Sequence, residues 1–165
     1  MTQEVRSHLG QDDAALVAEL YPHLRSFASV VARRGEDPND LVQEALVRTL
    51  RRGPLSRLEH PTAYLRTVVY HVAVSAWRQW ATEHNSVIQI VPEAVMPEDP
   101  WQVEELLCLS PKARAVMYLH VIEGLTYEEV GDQLGCSAVS ARKTASRAKR
   151  RLRRLLVGEV NDATS

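Results

Sequence analysis

The sequence predicts an all-α fold in which an N-terminal three-helix bundle and a C-terminal helix-turn-helix domain are joined by an acidic linker. Three observations carry this expectation. Apolar residues recur at three- and four-residue spacing along most of the 165 residues, and no stretch shows the two-residue alternation of a half-buried strand. The helical period fails over residues 83–100, EHNSVIQIVPEAVMPEDP, where Pro92, Pro97 and Pro100 each lack a backbone donor. Near the C-terminus a Thr-x-x-Glu pair, Gly135 and a strongly basic segment follow at the spacing of a helix, a tight turn and a second helix. The divisions are 10–82, 83–100 and 101–157.

Each element has its own signal. Residues 12–33 place Leu16, Leu20, Leu24, Phe27 and Val31 on one stripe, and Gly35 ends the run. Asp37 before Pro38 reads as an N-cap with proline in the first turn, opening a helix through Leu41, Ala45, Leu46, Thr49 and Leu50 that Gly53 and Pro54 close. After the loop PLSRLEH, Pro61 opens a third helix with the stripe Leu65, Val68, Val69, Val72, Ala73, Ala76 and Trp80. Beyond the linker, Trp101–Leu109 reads as a short helix, and Ser110-Pro111 caps another that runs to Ile122 before Gly124. Thr126 and Glu129 form a capping box for a helix that Gly135 ends. Ser137 caps the last helix, whose inner stripe is Ala141, Ala145, Ala148, Leu152 and Leu155.

Composition bounds what the chain can be. As one unit it would bury about 70% of its unfolded surface, whereas two separate halves would each have a thin core and lean on a partner for stability. Cys108 and Cys136 are too few for a disulfide framework and lack metal-ligand spacing, which implies a reducing compartment. The polar start MTQEVRSHLGQDD and the absence of a membrane-length apolar run predict a cytoplasmic chain without membrane insertion. The net charge of -1 is a sum of opposed parts. Residues 1–82 carry ten basic and nine acidic side chains, 83–109 carry none and six, and 110–165 carry ten and six. Eight cations fall among the thirteen residues 142–154, with no acid between them.

The last helix gives the strongest signal of function. Its inner stripe is small and apolar, which lets it pack closely, while Ser140, Arg142, Lys143 and Arg147 lie outside that stripe near its start. In a helix-turn-helix such positions reach DNA, with guanidinium groups suited to guanine edges and lysine to phosphate. A solvated basic face is the plainer reading of the same residues. Capping box, glycine and spacing together favour DNA.

Here the chain resembles the bacterial RNA polymerase sigma factors of the extracytoplasmic-function (ECF) type. The stretch LSPKARAVMYLHVIEGLTYEEVGDQLGCSAVSARKTASRAKRRL is similar to their fourth conserved region, which binds the minus-thirty-five promoter element and the flap of the beta subunit. The stretch DPNDLVQEALVRTLRR is similar to their second region, and HPTAYLRTVVYHVAVSAWRQW to its continuation, which melts and reads the minus-ten element. The resemblance implies that Asp40, Leu41, Gln43 and Glu44 dock on the beta-prime clamp helices. Asp40, Gln43, Glu44 and Val47 recur at helical spacing and would form an acidic-polar strip beside Leu41.

For the minus-ten element the resemblance implies Arg57, Leu58, Arg66, Tyr70, His71 and Arg78, which offer an apolar or aromatic pocket and cations to a flipped base and its strand. Tyr64 and Trp77 flank the apolar stripe and read equally well as core. For the upstream element it implies Ser137, Ser140, Arg142, Lys143, Thr144 and Arg147. The chain departs from the family where Tyr70-His71 replaces an Arg-Asn pair, Ser75 an aspartate, Tyr64 a tryptophan and Ala145 a leucine. Cys136, at a small turn position, reads as a packing thiol. The acids of the 83–109 segment, six with no base among them, would mimic nucleic-acid charge inside the polymerase, or serve only as a solubilising spacer.

The implied partners are core RNA polymerase, promoter DNA and an anti-sigma factor; no cofactor or metal is expected. Two other classes compete. A free-standing helix-turn-helix regulator would use the N-terminal bundle for sensing or dimerisation. An enzyme is disfavoured because His8, His23, His60, His71, His84 and His120 are scattered, with no zinc motif, phosphate loop or nucleophile elbow, so no catalytic residue is assigned.

Overall fold

The computed structural model describes the backbone of residues 2–83 and 104–162, and the side chains of 12–83 and 106–154. The described residues are helical, in agreement with the predicted class. The linker acids Glu93, Glu98 and Asp99, Trp101 and the side chain of Leu155 lie outside the described residues.

Helix α1 (Thr2–Val31) begins ten residues before the expected start at 12. That first segment is polar and lacks an apolar stripe, so periodicity carries no signal there, although most of its residues are adequate helix formers. Pro22 sits inside α1 without breaking it. The carbonyl of Ala18, which loses its intrahelical donor, belongs to an exposed residue, where water can reach it. Leu20, Leu24, Phe27 and Val31 are buried as the stripe requires.

Helix α2 (Pro38–Leu50) is opened by Asp37, whose carboxylate accepts from the Asn39 backbone N–H at 2.8 Å. The Tyr21 hydroxyl donates to Asn39 Oδ1 at 2.9 Å and ties α2 to α1. A 3-10 turn, Leu55–Arg57, follows, pinned by fully buried Leu55. Helix α3 (Pro61–Glu83) then lays Leu65, Val69, Val72 and Ala73 against α1 and α2.

The second unit comprises α4 (Glu104–Leu107), α5 (Pro111–Met117), α6 (Tyr127–Leu134) and α7 (Ala138–Asp162). Ser110 caps α5 through its hydroxyl, which accepts from Ala113 N at 3.2 Å. The expected continuation to Ile122 is present but changes pitch, because Tyr118–Ile122 is a π turn in which Glu123 N donates to Tyr118 O at 3.2 Å. The wider turn keeps Tyr118 and Leu119 buried while leaving Val121 and Ile122 exposed.

The two units do not keep separate thin cores. Phe27, Val31, Leu65 and Val69 of the first belong to the same buried cluster as Val116, Leu119, Val130 and Ala145 of the second. Phe27 meets Tyr118 edge to face, with ring centroids 5.4 Å apart. Polar groups then lock the seam. Arg114 Nη1 donates to Val30 O at 3.0 Å and Ala32 O at 2.6 Å, so a guanidinium of α5 caps the carbonyl end of α1. Arg66 Nη2 pairs with Glu123 Oε1 at 2.7 Å, and the Thr67 hydroxyl donates to Gln133 O at 2.9 Å.

The helix-turn-helix depends on one close approach. A Cβ on Gly131 would lie 2.4 Å from the carbonyl oxygen of Cys136, a backbone atom that cannot rotate away. Gly131→Ala is therefore expected to cost about 1–3 kcal/mol by overpacking. The check is the urea midpoint of the full chain; an unchanged midpoint would show that the turn yields freely.

Candidate nucleic-acid interface

The start of α7 is built by two caps. Thr126 and Glu129 form the expected box, with Glu129 Oε2 accepting from Thr126 N at 2.7 Å and the Thr126 hydroxyl accepting from Glu129 N at 3.3 Å. The backbone turns at Gly135 with φ 67°, a conformation that favours glycine, and Ser137 Oγ then accepts from Ser140 N at 3.1 Å. Ala141, Ala145 and Ala148 are buried against α5 and α6, which leaves Ser137, Arg142, Lys143 and Arg147 exposed on the opposite face. Ser140 and Thr144 are half-buried; the Thr144 hydroxyl donates to Ser140 O at 2.8 Å and is thereby turned toward its own helix. Val139, absent from the sequence-based set, is 59% exposed one turn before Arg142 and Lys143. Its signal was an apolar residue outside the inner stripe.

The hydrogen bonds from Thr126 hold the Glu129 carboxyl below its ordinary range. A folded value below the unfolded one, about 4.3, gives stabilisation that is complete above that pH and is lost as pH falls through the folded value. The wild-type chain should therefore lose stability more steeply than Glu129→Gln below about pH 4.3. Parallel acid titrations of the two in fixed urea would test this, and superimposable curves would refute it.

On α2, Asp40, Gln43, Glu44 and Val47 are exposed together, and Glu44 Oε1 accepts from Arg48 Nε at 2.6 Å. Leu41 differs from its expected role. It is 3% exposed and packs under the strip, so it fixes α2 in place and offers no surface of its own.

The α3 set divides. Arg57, His71 and Arg78 are exposed and Leu58 is half-buried. Arg66 and Tyr70 are each 7% exposed, because the second unit packs over them. Their expected place on an open DNA surface is therefore not met in this conformation. Burial raises the Tyr70 phenol above its ordinary value. Burial first and the charge and hydrogen bond of Glu123 second push the Tyr118 phenol up to about 12. Trp77, which read equally well as core, is 40% exposed. Trp80, placed on the stripe, is 37% exposed and lies under the Arg33 guanidinium at 5.4 Å. Thr67, Arg114, Glu123 and Gln133, which hold the cover in place, were not anticipated. For Arg114 a signal existed: a lone cation among Ala113, Ala115 and Val116 on a buried stretch.

Comparison with known proteins follows the same division of the chain. The family model for sigma-70 region 2 matches residues 16–82, and that for sigma-70 region 4 matches residues 103–152. The RNA polymerase sigma-E factor of Streptomyces coelicolor is 34% identical over 135 residues, covering 77% of this chain and 76% of that one. The chain belongs to the ECF-type sigma factors of the sigma-70 family. The ferric citrate uptake sigma factor FecI of Escherichia coli is 28% identical over 137 residues, 76% of this chain and 79% of its own. The sigma factor shares its fold with RpoE of Bartonella quintana, solved in complex with the anti-sigma factor NepR, at a TM-score of 0.69 and 24% identity over 88% of this chain and 97% of that one. Among the described residues of the sigma factor no helix is long and apolar enough to cross a membrane.

Proposed function

We propose that this sigma factor binds core RNA polymerase through the α2 strip of Asp40, Gln43 and Glu44 and directs it to a two-part promoter. In this reading α3 melts and holds the minus-ten element, and the exposed face of α7 reads the minus-thirty-five element. Val121 and Ile122, exposed at the π turn, are the apolar surface offered to the beta flap. The reaction itself is left to the polymerase, in the cytoplasm. The observation that carries the reading is one chain holding both an exposed acidic-polar strip on α2 and a capped helix-turn-helix with Arg142, Lys143 and Arg147 facing outward.

The closed seam adds a requirement. Arg66 and Tyr70 can meet DNA only after α5 and α6 leave α3. The residues between the described units, 84–103, number twenty and span at most about 70 Å, enough for the two units to separate widely. The closed arrangement is then the resting form, and polymerase or promoter draws the equilibrium toward the open one. By likeness to RpoE, solved in complex with an anti-sigma factor, an anti-sigma factor is a further partner in this reading.

Reconstitution decides the matter. Purified chain, core polymerase and genomic DNA should give transcripts with defined start sites; a free-standing regulator would instead bind DNA alone and need another sigma factor. Failure to bind core polymerase ends the proposal.

A further inference from the structure

Arg142 is held by a stack that no sequence motif announced. Its guanidinium carbon lies 5.5 Å from the ring centre of Tyr127, the first residue of α6. The other partner of Tyr127 is His120, stacked with ring centroids 4.1 Å apart and planes inclined by 23°. His120 is fixed in turn, because its Nδ1 is 2.7 Å from Leu125 O and must carry the proton to donate to that carbonyl. Leu125 N is itself bound to Leu119 O at 3.0 Å, so the π turn sets the base of the stack. His120, Tyr127 and Arg142, each in contact with the next, thus join the π turn, the start of α6 and the start of α7.

A surface arginine ordinarily samples many rotamers and loses that freedom on binding. A cation over a tyrosine ring at an exposed site is favoured by about two- to fivefold in population. The lost freedom is then met in advance, and Arg142 comes to DNA with its forked donors already placed. Ser137, Lys143 and Arg147 have no such aromatic support among the described residues, so the bias falls on one position of the helix.

We propose that Tyr127, backed by His120, is a positioning residue that sets Arg142 and thereby strengthens the base preference at the one upstream-element position Arg142 reads, a guanine edge by the chemistry of its donors. This rests on the reading of α7 as the upstream-element helix. It assigns Tyr127 no DNA contact of its own.

The test uses reconstituted holoenzyme and a DNA library randomised across the upstream element. Wild type should enrich guanine at one position, and Arg142→Ala should abolish that enrichment. Tyr127→Leu should weaken the same position about two- to fivefold and leave the others unchanged, while Tyr127→Phe, which keeps the ring, should match wild type. In the Arg142→Ala background Tyr127→Leu should add nothing. Circular dichroism melts accompany each variant. Should Tyr127→Leu unfold the second unit, His120→Ala supplies the test, with a smaller loss at the same position.

The inference is overturned if Arg142→Ala erases the preference while both Tyr127→Leu and His120→Ala leave it intact. A loss spread evenly over all positions also overturns it, since that is what a merely structural role gives. If Arg142→Ala itself changes nothing, the assignment of Arg142 fails and takes the stack's role with it.

Discussion

Arg114→Met should lower the stability of the free chain by about 2–3 kcal/mol and loosen the join between the two units. The side chain is buried, and its two bonds go to Val30 O in the last turn of α1 and to Ala32 O just beyond it, where the helix supplies no further donor. Removing a charged donor from buried acceptors costs roughly 1.5–3 kcal/mol for each interaction lost, offset in part by the guanidinium no longer being stripped of water. That desolvation is visible in Arg114, whose burial lowers its pKa from the ordinary arginine value. The group nevertheless stays charged across the accessible pH range, so the loss should be the same at pH 6 and pH 8. Arg114→Lys should fall between, because a single ammonium replaces the fork. Urea titration gives the size of the effect and small-angle scattering its nature: a larger radius of gyration for Arg114→Met. A variant as stable and as compact as wild type would mean that Arg114 does not hold the seam.

Glu123→Ala should have the larger effect on shape. In the closed form Arg66 keeps only 9% of its side-chain surface exposed, and Glu123 is its carboxylate partner at 2.7 Å. Deleting the carboxylate leaves the charge of buried Arg66 unmet, at a cost of at most about 3–5 kcal/mol, less in so far as Glu123, 24% exposed, already faces water. The chain avoids that cost by opening, which returns Arg66 to water. Hydrogen exchange should accordingly accelerate in α3 around Arg66 and Tyr70 and in α6 around Gln133, with α2 unaffected. The double variant Arg66→Met/Glu123→Leu should close again, because apolar groups of similar volume often match or exceed a buried ion pair. If Glu123→Ala exchanges like wild type, the pair does not govern closure. If the double variant stays open, the charge pair itself, and not packing, is what held the seam closed.

The helices were legible from a stripe, a cap or, for α2 and α7, both. Asp37-Pro38, Ser110-Pro111 and the box of Thr126 and Glu129 all appear in the structure as hydrogen bonds with the partners their spacing demands. The exposed cations of α7 were legible for the same reason, since the alanine stripe left them one face to occupy. What stayed hidden depends on contacts between distant residues. Periodicity places Leu41 on α2 but does not say that it lies beneath the acidic strip instead of on it. Nothing local in Arg66 or Tyr70 shows that a second helical unit will cover them, and a pattern that suits an open DNA surface suits an internal seam as well. The stack on Tyr127 was equally out of reach, because it joins residues 120, 127 and 142 through ring geometry that no short motif encodes.

The bond from Arg114 to Val30 also has a meaning in time. The two residues are 84 positions apart, and synthesis at about 5–20 residues per second separates their appearance by roughly 4–17 s. Over that interval α1, α2 and α3 have been made while the element that will cover α3 does not yet exist. A newborn chain therefore exposes Arg66 and Tyr70 before it can conceal them. Newly made and long-finished copies of the protein would present different surfaces, even though their sequence and their concentration are the same.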